Sequence, residues 1–160
     1  MNFTAFWNNL KALEESIAIT SPVMKKVHIA YWGAPYQSQE PELPCFVNAL
    51  SEPDRVIGFG NRDQRFRISV QLLVAKATVE DPQSSMIATA FWFAAKDAFD
   101  YDITFGDTVN ISVLKGSDPT VPVILQHGGA AYIGFNAILE IQSVEDMDFN
   151  AHFMTAPQPI

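Results

Sequence analysis

The stretch RFRISVQLLVAK, residues 65–76, constrains the fold more than any other part of the chain. Phe66, Ile68, Val70, Leu72 and Val74 alternate there with Arg67, Ser69, Gln71 and Leu73. A period of two is β-strand geometry, because successive side chains leave opposite faces of a sheet. One face is apolar and the other mostly polar. That pattern belongs to an antiparallel sheet with one covered face, since parallel sheets are covered on both sides and read as unbroken apolar runs.

Two segments have the pattern of helices that could cover such a face. Near the start, Phe3, Phe6, Trp7, Leu10, Leu13 and Ile17 recur at spacings of three and four, one apolar stripe of an amphipathic helix. Asn8, Asn9, Lys11, Glu14 and Glu15 fall mostly off that stripe, and Ser21-Pro22 marks its end. A second helix follows the strand. Ser84 or Ser85 is placed to cap it, Ile87, Phe91, Ala94, Ala95, Ala98 and Phe99 form its inner side, and Asp100-Tyr101-Asp102 ends it.

The remaining extended stretches complete the sheet. Residues 27–32 read as a short strand, and residues 33–44 as a long polar loop rich in proline. Residues 44–50 and 55–59 read as two strands separated by a turn at Glu52-Pro53-Asp54. Later, Val109, Ile111 and Val113 alternate with Asn110 and Ser112. Residues 122–127 and 132–144 are extended, with Ile133, Phe135, Ala137, Leu139 and Ile141 sharing one face. The order helix, strands, helix, strands gives an α+β class: a mostly antiparallel sheet with an N-terminal helix and a second helix packed on it. Residues 1–144 form the single domain expected of a 160-residue chain that is 48% hydrophobic, and 145–160 form a tail ordered by contact with a neighbour.

Charge and cysteine content narrow the function. Residues 1–76 carry a net charge of +1 and residues 77–160 a net charge of −9. The acidic half would repel phosphate, which argues against specific nucleic-acid binding. Arg55, Arg62, Arg65 and Arg67 form the one basic cluster, interleaved with Asp54 and Asp63. One cysteine, Cys45, excludes an internal disulfide. Met1-Asn2-Phe3-Thr4 lacks the basic start of a secretory leader, and the longest apolar run, residues 86–95, is about half what a membrane helix needs. The expectation is a soluble protein.

The motif with most catalytic appearance is His127-Gly128-Gly129. A His-Gly-Gly loop builds the oxyanion hole of many esterases, but that chemistry requires a nucleophilic serine in a Gly-x-Ser-x-Gly turn, and the sequence has none. Flanked by two apolar runs, the glycines fit a hairpin bend. His28, His127 and His152 have no metal-ligand spacing. Asp97, Asp100, Asp102 and Asp107 do not match a calcium loop, because counting from Asp100 puts Phe105 at the glycine position and Ile111 at the glutamate position. No catalytic residue, cofactor site or metal site is expected. Candidate contact residues are instead the aromatics Tyr31, Trp32 and Tyr36, together with Phe149, Phe153 and Met154 in the tail, because aromatic groups are enriched in interface cores.

Taken in order, FTAFWNNLKAL, RFRISVQLLVAK, SSMIATAFWFAAKDAFDYD, VNISVLKG and VPVILQHGGAAYIGFNAILEIQSVED resemble the tail terminator, or tail completion, proteins of long-tailed bacteriophages. The resemblance is one of architecture and extends from the first helix to Asp146. Other neck, head–tail joining and minor tail proteins share it. It implies a structural virion protein without catalytic residues. Such proteins form a homo-oligomeric ring, usually a hexamer, on the last ring of tail tube protein and meet the neck or connector proteins. DNA passes through without specific binding, and no membrane is involved. The implied location is the virion tail or neck, assembled in the host cytoplasm. Two other classes carry different expectations. A cellular α+β binding module would be monomeric or dimeric with a ligand cleft, and a small hydrolase would gather His127 with a carboxylate such as Asp107.

Overall fold

The computed structural model describes the backbone of residues 2–33, 40–58, 61–77, 82–116 and 122–146, with side chains described in those ranges except at 52–64 and 144–146. The elements are α1 (Phe3–Ser16), β1 (Ala18–Ile19), β2 (Lys25–Lys26), β3 (Ile29–Trp32), β4 (Cys45–Gly58), β5 (Asn61–Lys76), α2 (Pro82–Tyr101), β6 (Ile111–Gly116), β7 (Val123–His127) and β8 (Ala130–Asp146). The class is α+β, as the sequence pattern predicts. No helix among the described residues is long and apolar enough to cross a membrane.

The main sheet runs in the order β3-β4-β5-β8-β6, with β7 also paired to β8. Only β3 and β4 are parallel; every other pair is antiparallel. β6 pairs with residues 137–142 of β8 and β7 with residues 130–134. These two strands are therefore successive segments along one edge of β8. The last strand runs to Asp146, two residues into the segment read from sequence as a tail.

The alternation in β5 sets the core. Ile68, Val70, Leu72 and Val74 are buried among α1 and α2 residues, together with Phe46 of β4 and Phe135, Ala137, Leu139 and Ile141 of β8. Ile133 is only half-buried and stays out of the core. The other face is not simply wet. Cys45, Val47, Leu73, Leu125 and Tyr132 form a second buried cluster there. The β7–β8 hairpin curls over this face, and His127 Nε2 lies 2.6 Å from Gln71 Oε1 on it. Two backbone features sit where the hairpin turns over. The β5–β8 register shifts between Leu73 and Ala75, a bulge of the kind that bends a strand. Opposite it is Gly134, where an added Cβ would lie 1.7 Å from the Leu72 carbonyl oxygen.

Several expectations are corrected. β4 is one strand through Glu52-Pro53-Asp54, with a bulge between Leu50 and Glu52 in place of a turn. Its parallel neighbour pairs only with residues 45–48, so at Pro53 one side of β4 has no strand partner among the described residues, the edge setting in which strands accept proline. In β6, where the alternation leaves the inner face open, the inward side is Ser112 and Leu114, while Ile111 and Val113 point outward at 42% and 46% exposure. Ser112 tolerates burial because its hydroxyl donates to the Ile103 carbonyl at 2.9 Å. α1 ends at Ser16, and Ile17 is already extended with ψ 125°; the chain then forms the small β1–β2 hairpin before Pro22 contributes any stop. α2 starts at Pro82, not at a serine cap. A proline suits a first helical position because its fixed φ is helical and its missing N–H would have had no partner.

α1 opens on Asn2, whose side-chain oxygen accepts from the Ala5 N–H at 3.1 Å. Asn2→Ala removes this acceptor from a free helix donor. Thermal unfolding should register a loss of about 1 kcal/mol, and an unchanged midpoint would show the cap to be replaced by water.

Candidate functional site

α1 places most of the functional surface, so its docking matters first. Three polar contacts hold it besides the packing of its apolar stripe. Asn9 Nδ2 donates to the Phe105 carbonyl at 2.8 Å. Phe6 meets the Phe105 ring edge-on at 5.4 Å, and Phe105 meets Phe99 of α2 in the same way at 5.9 Å. Glu15 Oε1 accepts from the Ala30 N–H at 3.2 Å, occupying a backbone donor of the edge strand β3. Asn48 Nδ2 donates to Glu14 Oε2 at 2.7 Å.

The last of these contradicts the sequence expectation that Glu14 lies off the buried stripe. Glu14 is fully buried, and burial raises its carboxyl well above the ordinary range, with Glu15 adding to the rise and the Asn48 hydrogen bond opposing it. The spacing contained the signal: Glu14 is four residues beyond Leu10 and eight beyond Phe6, on the same side of the helix.

With α1 so placed, three aromatic rings meet at the sheet edge. Trp32, the last residue of β3, packs edge-on against Phe3 at 5.0 Å and against Trp7 at 5.3 Å. Phe3 and Trp32 remain 44% and 37% exposed. This is an outward aromatic surface built from two elements. Tyr31 points the other way. It is half-buried against the second cluster, and its hydroxyl accepts from the Glu42 N–H at 3.4 Å. Tyr36, Phe149, Phe153 and Met154 lie outside the described residues. Of the sequence-named contact residues, the structure therefore places Trp32 on the surface and Tyr31 in an internal packing role. The apolar stripe puts Phe3 and Trp7 on the buried side; Trp7 does pack against the main core while Phe3 stays exposed, and both are rings that Trp32 joins.

The described part of the loop after β3 is tied down by polar contacts. Glu40 pairs with Lys76 at 2.7 Å and Glu42 with His28 at 2.6 Å. On the outer sheet face Glu140 of β8 bridges Lys115 of β6 at 2.8 Å and Arg67 of β5 at 3.7 Å. Lys115 and then Arg67 hold the Glu140 carboxyl below its usual range.

The residues with catalytic appearance have structural settings. Gly128 and Gly129, with φ of 56° and 79°, form a two-residue hairpin between His127 and Ala130. Two consecutive left-handed residues match the twist of the strands, which is why glycine occupies both. Burial lowers the His127 pKa, so the ring is neutral at neutral pH, with Nε2 positioned to donate to Gln71. Asp107 sits in the loop after α2, its N–H bonded to Thr104 Oγ1, and no hydrogen bond or ion pair joins it to His127. Asp102 accepts from the Gly106 N–H at 3.2 Å and serves that loop as a turn residue. The Cys45 thiol is buried and pushed up to about 12 by burial, a setting for an inert thiol. Among the described residues no group of three or more His, Cys, Asp or Glu is placed to hold a metal ion.

Compared with known proteins, the sequence matches no family model and no curated protein.

Proposed function

We propose that this chain is a structural virion protein of the tail-terminator type, whose copies close into a ring, a hexamer, on the end of the tail tube and join it to the neck. The observation that carries the reading is the outward aromatic surface of Phe3, Trp7 and Trp32 at the β3 edge. Exposed rings held rigidly by two elements are the kind of anchor that interface cores use, because they bury much area for little lost freedom. The order of helices and strands supports the same reading through its resemblance to terminators. The net charge of −9 on residues 77–160 suits a passage through which DNA slides without adhering.

In this proposal Trp32 contacts the next subunit, and Phe149, Phe153 and Met154 of the tail reach a neighbour as well. Trp32→Ala tests the first contact. In size-exclusion chromatography with light scattering the parent chain should elute as a ring and the variant as subunits, with its circular dichroism unchanged. A variant that still elutes as the ring overturns the assignment of Trp32 to the contact.

A further inference from the structure

We propose that Glu14 is carried as a neutral carboxylic acid whose proton is shared with Asn48, and that the pair is a pH-sensitive latch holding α1 on the edge of the sheet. The inference does not depend on the tail-terminator reading.

The geometry poses an accounting problem. Glu14, in the last turn of α1, and Asn48, on β4, are both fully enclosed. Asn48 Nδ2 donates to Glu14 Oε2 at 2.7 Å and reaches the Tyr31 carbonyl at 3.3 Å. Left over are Glu14 Oε1 and Asn48 Oδ1, two buried oxygens without a partner. If the carboxylate is ionised, both are acceptors and neither has a donor. Each orphaned polar group destabilises the fold, and a buried charge destabilises it more. A proton on Oε1 turns that oxygen into a donor, and Asn48 Oδ1 is the acceptor that lacks one in the same pair. Reversing the Asn48 amide does not remove the need. The amide oxygen would then face Glu14 Oε2 at 2.7 Å, and two acceptors at that distance again require a proton between them.

Among the described residues no cation is paired with Glu14 or Asn48. From α1 itself the facing charge is Glu15, of like sign, and Lys11 is bound to Glu15 at 3.5 Å. From β3 the Tyr31 carbonyl faces the pair, and from β4 the Asn48 amide does. No hydrogen bond or ion pair from α2 reaches it among the described residues. The site is built for a neutral group.

The latch holds more than one side chain. Asn48 joins α1 to β4 and, through the Tyr31 carbonyl, to β3, while its own carbonyl accepts from the Gly33 N–H at 2.7 Å. The adjacent Glu15 occupies the Ala30 N–H. Ionising Glu14 replaces a donor by a second orphan acceptor and puts an uncompensated charge under the helix. The last turn of α1 then leaves its seat, the β3 edge loses its cover, and the Phe3, Trp7 and Trp32 rings separate. The sign follows from linkage. An acid whose folded pKa is raised contributes most below its unfolded pKa of about 4.3, and the contribution falls as pH rises toward the folded value.

Infrared absorption of the purified chain in D2O at pH 7 tests the proton directly. The expected result is a protonated-carboxyl C=O band that shifts on 13C-glutamate labelling and disappears as the pH is raised further, together with a change in tryptophan fluorescence. In Glu14→Gln, which keeps a neutral group of the same shape, the band is absent and the fluorescence step is lost. A wild-type spectrum without that band at pH 7 overturns the proposal, and it does so even if Glu14→Gln fails to fold. So does a Glu14→Gln variant with the wild-type fluorescence profile.

Discussion

Gly134→Ala should abolish the folded state. An alanine Cβ at this position lies 1.7 Å from the Leu72 carbonyl oxygen and 2.9 Å from its carbon. Both obstacles are backbone of β5, fixed in the ladder that pairs Leu72 with Phe135 and Leu73 with Gly134. A flexible side chain could swing away; a ladder carbonyl cannot move without breaking its own pairing. The cost therefore exceeds the roughly 1–3 kcal/mol of ordinary overpacking and consumes much of a typical stability of about 5–15 kcal/mol. Gly129→Ala is the internal control. Nothing lies within 4 Å of a Cβ there, and the penalty is the left-handed φ of 79°, about 1–2 kcal/mol. Soluble yield and circular dichroism should separate the two, with Gly134→Ala insoluble or unfolded and Gly129→Ala folded with a lower melting temperature. A cooperative, wild-type melt for Gly134→Ala would mean that β8 does not approach Leu72 as described.

Phe6→Ala should be the most damaging truncation in α1, at about 3–5 kcal/mol. Phe6 has no exposed surface, and its ring joins Phe105, which in turn joins Phe99 of α2. Removing it opens a cavity at the junction of both helices. The neighbours are poorly placed to refill it. Phe105 holds a left-handed backbone with φ 46°, and its carbonyl is pinned by Asn9. Alanine is a better helix former than phenylalanine, so the loss measured by urea unfolding comes from packing and not from helix propensity. A change below about 1 kcal/mol would show that the Phe105 loop collapses into the space.

Patterns of period were legible in the sequence wherever one period governed an element. β5 declared itself because its inner face is unbroken from Phe66 to Val74. The two helices followed from their stripes, and the His127-Gly128-Gly129 bend from paired glycines between apolar runs. What failed were places where local pattern is silent about direction. Alternation in β6 says that Ile111 and Val113 share a face, but not whether that face is inside; the Ser112 hydroxyl, bonded to Ile103, decided it. Pro53 and its acidic neighbours read as a turn because a sequence does not show that β4 loses its parallel neighbour after Asn48. Glu14 is grouped with the polar residues off the stripe, although its spacing from Phe6 and Leu10 puts it on the buried side; a carboxyl there is unexpected because it is seldom buried without a partner.

The contact surface was legible only in part. Trp32 could be named as an aromatic at the start of a loop, but its partners Phe3 and Trp7 lie on a helix whose docking depends on three polar residues, Glu14, Glu15 and Asn9, whose contacts no apolar pattern shows. The second apolar cluster was hidden for a similar reason. Leu73 alone broke the polar face of β5, and its partners Leu125 and Tyr132 arrive from a hairpin more than 50 positions later.

The most direct test of the ring proposal is the assembly state of the purified chain, by native mass measurement and negative-stain images. A ring with six-fold projection symmetry and six copies of the 17.7 kDa chain is the expected result. A homogeneous monomer at every concentration, including in the presence of tail tubes, would contradict it.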